Sequence, residues 1–341
     1  MAKHRMAVIG LGMAVGPHAR SFADLKDRVE IVTAYSPTQA RRDAFADKYK
    51  FPVSGDLDAI WSDKSIECVA ILTPPNSHLE LVLEAAKAGK HVLLEKPLEI
   101  TTARAEEMVK ACRDAGVTFG VVLQHRFRAP GLKLREIFKS GELGKMVGCS
   151  AVVPNWRPQT YYDQPGRGTK ARDGGGVLIT QGIHTLDLML SLTGDVEEVF
   201  AYAATTPVHR METEDLVAAS VKYKNGALGV ISATTAAYPG FGERIEIICE
   251  KGTAFILGTE LKVGFHDGRK VEIARDPNEG GTGADPMAFA HDQHRAVIAD
   301  FLDAIDNKRE PAISGQEALR VHRLIDALLL SAASGKTVKV A

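Results

Sequence analysis

The chain is 341 residues long, 45% apolar and 25% charged, with 42 Lys and Arg against 43 Asp and Glu for a net charge of −1. At roughly 150 residues per domain this is about two domains, with core enough to need no metal or disulfide staple. The even charge balance excludes the basic footprint of a general nucleic-acid binder, and no apolar run approaches the roughly 18 residues of a membrane helix.

The first 125 residues alternate apolar β runs with helical patterns. MAVIG (6–10), EIVTAY (30–35), ECVAILT (67–73), HVLLE (91–95) and VTFGVVL (117–123) are apolar throughout rather than alternating. Strands covered on both faces read this way. Between them lie stretches such as 77–90, where Leu79, Leu81, Val82, Ala85 and Ala86 recur at helical spacing and Gly89 marks the stop. Strands alternating with helices predict an α/β domain with a doubly wound parallel sheet over 1–125.

The pattern changes in the second domain, 126–341. Runs at 146–156, 196–206 and 216–238 are longer and partly alternating, with Asn225–Gly226 as a hairpin signal. Two more hairpins are expected over 243–258 and 261–274, turning at Lys251–Gly252 and Asp267–Gly268. This half is read as an α+β domain on an open, mainly antiparallel sheet. A loop over 276–286 precedes helices at about 287–308 and 315–334, which pack back on the fold.

Cys68, Cys112, Cys149 and Cys249 form no CxxC pair, so neither a zinc site nor a redox dithiol is written here. They read as reduced thiols of a cytoplasmic protein. Lys3, His4 and Arg5 before MAVIGLGMAVG have the outline of a signal peptide. The glycines in that stretch and the lack of an A-x-A site after it argue against one.

The first strand runs into Gly10-Leu11-Gly12-Met13-Ala14-Val15-Gly16. A strand, then glycines, then a helix is the setting of a dinucleotide-binding turn. Gly10 permits the bend, Gly12 lets backbone approach a pyrophosphate, and the helix offers N–H groups at its positive end. The spacing is irregular, since Val15 holds the third small position and Gly16 comes one later. The cofactor's ribose should meet the end of the second strand, at Ser36. An acid there would bind a ribose 2′-hydroxyl and repel a 2′-phosphate; Ser36 does neither. Arg41 and Arg42 nearby suit a 2′-phosphate, so NADP is preferred slightly over NAD.

Three further motifs complete a pattern: Thr73-Pro74-Pro75-Asn76-Ser77-His78, Glu95-Lys96-Pro97, and Gly174-Gly175-Gly176 followed by Gly182, His184 and Asp187. With the glycine turn they resemble the family of glucose–fructose oxidoreductases, inositol dehydrogenases and rhizopine-catabolism proteins. The resemblance implies a Rossmann domain, a second domain with an open antiparallel sheet, and hydride transfer between nicotinamide and a sugar, sugar acid or cyclic polyol. It implies a homodimer or homotetramer built through that sheet. It places Thr73, Pro74, Asn76, His78, Glu95 and Lys96 along the cofactor with Gly10, Gly12, Met13 and Ala14. Lys96 and His184 become the catalytic pair, the Lys96–Pro97 bond is expected to be cis, and no metal is expected.

The chemistry has its own logic. Oxidising an alcohol removes a hydride from carbon and a proton from oxygen. A histidine suits the proton, and an ammonium steadies negative charge on the oxygen. The chain departs from the family at Thr180, where many members carry an Asp four residues before the histidine. A hydroxyl neither holds negative charge nor accepts a proton at neutral pH. Asp187, three residues after His184, could share a helix face with it and orient the imidazole or a substrate hydroxyl.

Gln124, His125 and Arg126 border the cleft. On the loop before the glycines, Trp156, Tyr161 and Tyr162 offer faces to a sugar, and Arg157 and Arg167 suit a carboxylate. His291, Asp292, His294 and Arg295 read as a polar helix start. Two other readings remain: a dehydrogenase of cyclic dihydrodiols or related aromatic acids, and a non-catalytic nucleotide-sensing regulator on the same fold. Retention of both Lys96 and His184 argues against the second.

Overall fold

The structure is a computed structural model, and it describes residues 3–277, 283 and 290–341. The chain divides into two compact units, Met1–Gln124 with Ala290–Leu319, and His125–Phe289 with Arg320–Ala341. Most of the expected loop at 276–286 and the expected helix start at 287 lie outside the described residues.

In the first unit, β1 (His4–Ile9), α1 (Val15–Asp24), β2 (Val29–Tyr35), α2 (Gln39–Tyr49), β3 (Val53–Ser54), α3 (Asp58–Ser62), β4 (Cys68–Ile71), α4 (His78–Lys87), β5 (His91–Glu95), α5 (Thr102–Asp114) and β6 (Phe119–Val122) follow in turn. The six strands pair in parallel in the order β3-β2-β1-β4-β5-β6. The order reverses between β1 and β4, where ligands bind at the carboxyl ends of strands in open α/β sheets. Met6–Ile9, Cys68–Ile71 and Val92–Leu94 are buried on both faces, which is why these runs carry no alternation. The two-residue β3 is too short to leave a period in the sequence.

The second unit continues with α6 (Ala129–Ser140), β7 (Met146–Pro154), α7 (Gln159–Tyr162), α8 (Lys170–Asp173), a π-helical turn over Leu178–Gly182 and α9 (Ile183–Thr193). The strands β8 (Val196–Ala204), β9 (Leu216–Tyr223), β10 (Leu228–Thr234), β11 (Arg244–Cys249), β12 (Gly252–Leu257), β13 (Glu260–Phe265) and β14 (Lys270–Ile273) follow. Two helices come next: α10 (Asp292–Asp306), which belongs to the first unit, and α11 (Gly315–Ser334), whose sequence crosses the division at Leu319; β15 (Val338–Lys339) ends the chain. The nine-stranded sheet runs β14-β13-β12-β11-β7-β10-β9-β8-β15 and is antiparallel except where β7 meets β10. Gly226 and Gly268 turn their hairpins at φ of 87° and 88°, a region glycine enters freely. The turn between β11 and β12 falls at Glu250–Lys251, one residue before the expected one, because Cys249 pairs with Gly252. Helices α6 and α9 cover one face of this sheet.

Within the first unit, α10 lies against α1, β5 and β6. Gly120 on β6 makes this possible, since a Cβ there would stand 2.9 Å from the Phe301 ring. Among the described residues no helix is long and apolar enough to cross a membrane.

Candidate active site

At the carboxyl edge of the first sheet, Gly10 turns the chain with φ of 106°, and a Cβ there would stand 2.8 Å from the Leu72 carbonyl carbon. Around Gly12 a Cβ would meet nothing within 4 Å. Helix α1 then starts beyond Ala14 with no side-chain cap and no acid in its first turn. An uncapped helix end beside an unobstructed glycine fits a pyrophosphate, which would accept from the unpaired N–H groups and gain from the dipole. Met13 is exposed. Val15, in the expected small position, is buried instead, and Gly16 lies close to the Tyr49 hydroxyl.

Ser36 ends β2 as a buried residue. Arg42 donates to the Ser36 carbonyl at 2.5 Å and to Gln39 Oε1, so its guanidinium braces this turn. Arg41 is exposed. After β4, Thr73 is half-buried, Pro74 and Asn76 are exposed, and the Ser77 hydroxyl donates to Thr73 Oγ1 at 2.9 Å. His78 is fully buried. Its Nδ1 lies 2.9 Å from the Leu98 carbonyl and its Nε2 2.9 Å from the Thr73 carbonyl. Burial pushes its pKa down, against those carbonyls; the neutral ring donates through one nitrogen and ties the turn after β4 to the turn after β5.

The Lys96–Pro97 bond is cis. Glu95 Oε2 accepts from the Lys96 backbone N–H at 3.0 Å, and Oε1 accepts from His18 Nε2 at 2.7 Å. His294 meets the His18 ring edge-on at 5.2 Å. Burial pushes the Glu95 carboxyl up; the hydrogen bond from His18 and the charges of His18, His294 and Lys96 outweigh it and hold it at about 2. Burial, with His18 alongside, pushes His294 down to about 3. His294 was expected on a polar helix start, yet it is buried, because α10 turns that face onto α1. Donor atoms of His18, Glu95 and His294 lie within 4.8 Å of one another. The 2.7 Å hydrogen bond closes the space between two of them, so the set reads as a buried brace behind Lys96.

In the second unit, the residues after β6 meet α9. Arg126 donates to both oxygens of Asp187, from Nε at 2.7 Å and Nη2 at 2.6 Å, and both side chains are buried. The Asp187 carboxylate expected near the imidazole or a substrate thus faces a guanidinium in a bidentate pair. One residue earlier, the His125 ring stacks on His184 with centroids 4.7 Å apart and planes 29° apart. His125 Nδ1 is 3.4 Å from Glu243 Oε2, the oxygen that also lies 3.6 Å from Arg128. Thr180 donates to the Gly176 carbonyl at 2.6 Å.

The triple glycine serves a contact the sequence did not reveal. A Cβ on Gly176 would stand 1.8 Å from the Glu214 carbonyl oxygen. The close approach is to the chain's own backbone, where the Val177 N–H donates to that oxygen at 2.9 Å. The Glu214 side chain accepts from the Gly176 and Leu178 N–H groups at 3.1 and 3.2 Å. Burial raises its pKa against those donors. No local pattern marks Glu214; its partners lie almost forty residues away.

Two guanidinium groups lie near the Tyr161 ring, Arg167 at 4.9 Å and Arg157 at 6.0 Å from its centre. Arg157 donates to the Trp156 and Gly283 carbonyls at 2.7 and 2.5 Å. Trp156 packs edge-on to Tyr238, and the Tyr162 hydroxyl pairs with Thr235 Oγ1 at 2.7 Å.

A glycine turn before an uncapped helix, on a parallel sheet whose order reverses beside it, defines a dinucleotide-binding domain. Residues 4–123 match the oxidoreductase family with an NAD-binding Rossmann fold, so the chain is an oxidoreductase. Residues 132–255 match the GFO/IDH/MocA C-terminal domain. Myo-inositol 2-dehydrogenase of Thermotoga maritima is 27% identical, the alignment covering 98% of this chain and 96% of the relative. An oxidoreductase of Schizosaccharomyces pombe is 30% identical over 84% of both chains. Among solved structures, the WlbA dehydrogenase from Bordetella pertussis, in complex with NADH and UDP-GlcNAcA, is 27% identical, with a TM-score of 0.86 and coverage of 99% of this chain and 98% of that one. The chain belongs to the Gfo/Idh/MocA family of oxidoreductases.

Proposed function

We propose that the chain moves a hydride between nicotinamide and the hydroxyl or carbonyl carbon of a sugar, sugar acid or cyclic polyol, with Lys96 and His184 as the catalytic pair. Lys96 follows β5 at the carboxyl edge of the parallel sheet, two strands from the glycine turn. His184 starts a buried helix with its ring against a second imidazole. The observation that carries the reading is the uncapped start of α1 beyond Gly10 and Gly12, with Lys96 at the same edge. Compounds of this kind occur among the relatives: one is a myo-inositol 2-dehydrogenase, and the WlbA dehydrogenase is in complex with NADH and UDP-GlcNAcA.

Gly10, Gly12, Met13, Ala14 and the first turn of α1 would hold the pyrophosphate, with Ser36 and Arg41 at the adenosine ribose and Thr73, Pro74, Asn76 and Glu95 along the remainder. Bound nicotinamide supplies the acceptor or donor of the hydride. In oxidation His184 takes the hydroxyl proton as the C–O bond becomes a carbonyl; in reduction it returns that proton. Lys96 orients the oxygen and stabilises its negative charge. Thr180, Asp187 and Arg126 support the substrate side, the last two by fixing the turn after β6 to α9. At the adenosine end the reading favours NADP, since no carboxylate stands at position 36. The four buried free cysteines agree with a cytoplasmic site of action.

The test is turnover across a panel of sugars, sugar acids and polyols, followed by nicotinamide absorbance. Lys96→Ala and His184→Ala should each abolish turnover, a fall of at least about a hundredfold, while dinucleotide binding stays within about tenfold because the phosphate contacts are intact. Undiminished turnover in either variant refutes its assigned role.

A further inference from the structure

We infer that the substrate is an acid, and that its carboxylate is held by the guanidinium groups of Arg167 and Arg172 beside the Tyr161 ring. The inference rests on the hydride-transfer reading above and deepens it by selecting sugar acids from the proposed classes.

A guanidinium carries five N–H groups and cannot shed its charge. Among the described residues, two other guanidinium groups are matched: Arg126 forms its bidentate pair with Asp187, and Arg320 donates to Asp195 at 2.8 Å and to the Leu190 carbonyl at 3.1 Å. Arg167 and Arg172 differ. Arg167 Nε and Arg172 Nη1 are buried and have no hydrogen-bond partner among the described residues. Among the described residues, the acid they share is Asp173. Its Oδ1 lies 3.7 Å from Arg167 and 3.8 Å from Arg172, near enough to attract but too far to accept a hydrogen bond. Its Oδ2 accepts from the Gly168 N–H at 2.9 Å.

Two fixed positive charges therefore share one negative charge that hydrogen-bonds to neither. The other acids of this segment are engaged: Glu212 accepts from the Lys170 N–H, and Glu214 accepts from Gly176 and Leu178. Leaving buried charged donors unmatched costs several times an ordinary hydrogen bond. A ligand oxyanion that accepts from both forks removes that cost, and a planar carboxylate matches guanidinium geometry. Tyr161 stacks against Arg167 and offers an apolar ring to the carbon frame of the same ligand. The segment runs from Arg167 through α8 and the triple glycine directly into the π-helical turn and His184. Arg157, whose Nη1 donates to two carbonyls, supports the loop, and Arg172 supplies the second fork.

The experiment compares matched acid and neutral compounds on the full chain with NADH bound. The pairs are D-glucuronate with D-glucose, D-galacturonate with D-galactose, and UDP-glucuronate with UDP-glucose, with inorganic phosphate as a separate probe, all by calorimetry. In at least one pair the acid should bind about tenfold or more tighter than its neutral partner, and Arg167→Ala or Arg172→Gln should reduce that preference to about threefold or less. Arg167→Lys, which keeps charge but loses the fork, should fall between. NADH affinity should be unchanged in all three variants, which shows that the fold survives. No acid preference in any pair overturns the inference, as does a preference that survives both substitutions, or phosphate competing as tightly as the best acid. An acid that binds with the expected preference but is never oxidised or reduced leaves the subsite standing and removes the hydride-transfer reading instead.

Discussion

The proposed preference for NADP turns on Ser36. A carboxylate at the end of β2 would hydrogen-bond a ribose 2′-hydroxyl and repel a 2′-phosphate. Ser36 is buried, its carbonyl is taken by Arg42, and its hydroxyl accepts from the Thr38 N–H at 3.3 Å. Arg42 is thus engaged in the turn, and Arg41, exposed beside it, is the cation available to a phosphate. Titration of the protein with both reduced dinucleotides should show NADPH binding more tightly, by about threefold to tenfold for one exposed charge–phosphate contact. Arg41→Ala should erase the difference and leave NADH affinity alone. Tighter binding of NADH to the unaltered protein would show that Ser36 and Arg41 do not select the phosphate. At His184 a comparable economy operates. Position 180 offers a hydroxyl instead of a carboxylate, and what lies against the imidazole is the His125 ring, itself 3.4 Å from Glu243.

Buried histidines on helices are expected to weaken the protein in acid. His294 on α10 and His322 on α11 are both buried, and burial holds them at about 3 and about 4, below the ordinary imidazole value of 6.5. A group whose folded pKa is depressed in this way takes up protons more readily when unfolded. Stability is therefore complete above pH 6.5 and declines as pH falls from there toward the folded values. At pH 5 each histidine should have cost about 2 kcal/mol, at about 1.4 kcal/mol per pH unit. Glu95 acts lower: held at about 2, its contribution is present above about pH 4.5 and fades only in stronger acid. Urea unfolding at pH 7.5 and pH 5.0 measures the loss. His322→Leu should remove about half of it, and an unchanged difference between the two pH values would show that His322 is not the responsible group. The same elements show what the sequence could convey. The runs at 6–10, 67–73 and 91–95 were legible as strands because burial on both faces leaves an unbroken apolar signature, and the glycine turn was legible because Gly10 is fixed by sterics. The β3 strand was too short to read, and the buried side of α10 was hidden because His294 is polar by composition but enclosed by packing. The Glu214 contact with Gly176 and the stacking of His125 on His184 join residues far apart in the chain, which no local period can encode.

At the scale of the whole molecule, the nine-stranded sheet has one face covered by α6 and α9 and another that bears exposed side chains among the described residues. The pairing register puts Tyr202, Leu228, Val230 and Ile248 on that second face, across β8, β10 and β11. Tyr202 is 69% exposed and Leu228 65%, with Val230 and Ile248 about half exposed. Exposed apolar side chains spaced over one sheet face suit a face covered by another protein surface. A second copy of the chain is the proposed occupant, because a two-fold axis sets like faces together and makes the patch its own complement. Interfaces that hold permanently bury on the order of 2,000 Å² or more with an apolar centre. Light scattering should give twice or four times the chain mass of 36.8 kDa. Val230→Asp should shift the protein to the monomer without unfolding either unit, since an exposed β10 side chain tolerates charge in water but not in an apolar interface. A chain that stays monomeric at micromolar concentration, or an assembly that the charge leaves intact, would place the interface elsewhere. The sheet face would then need another partner to account for its apolar side chains.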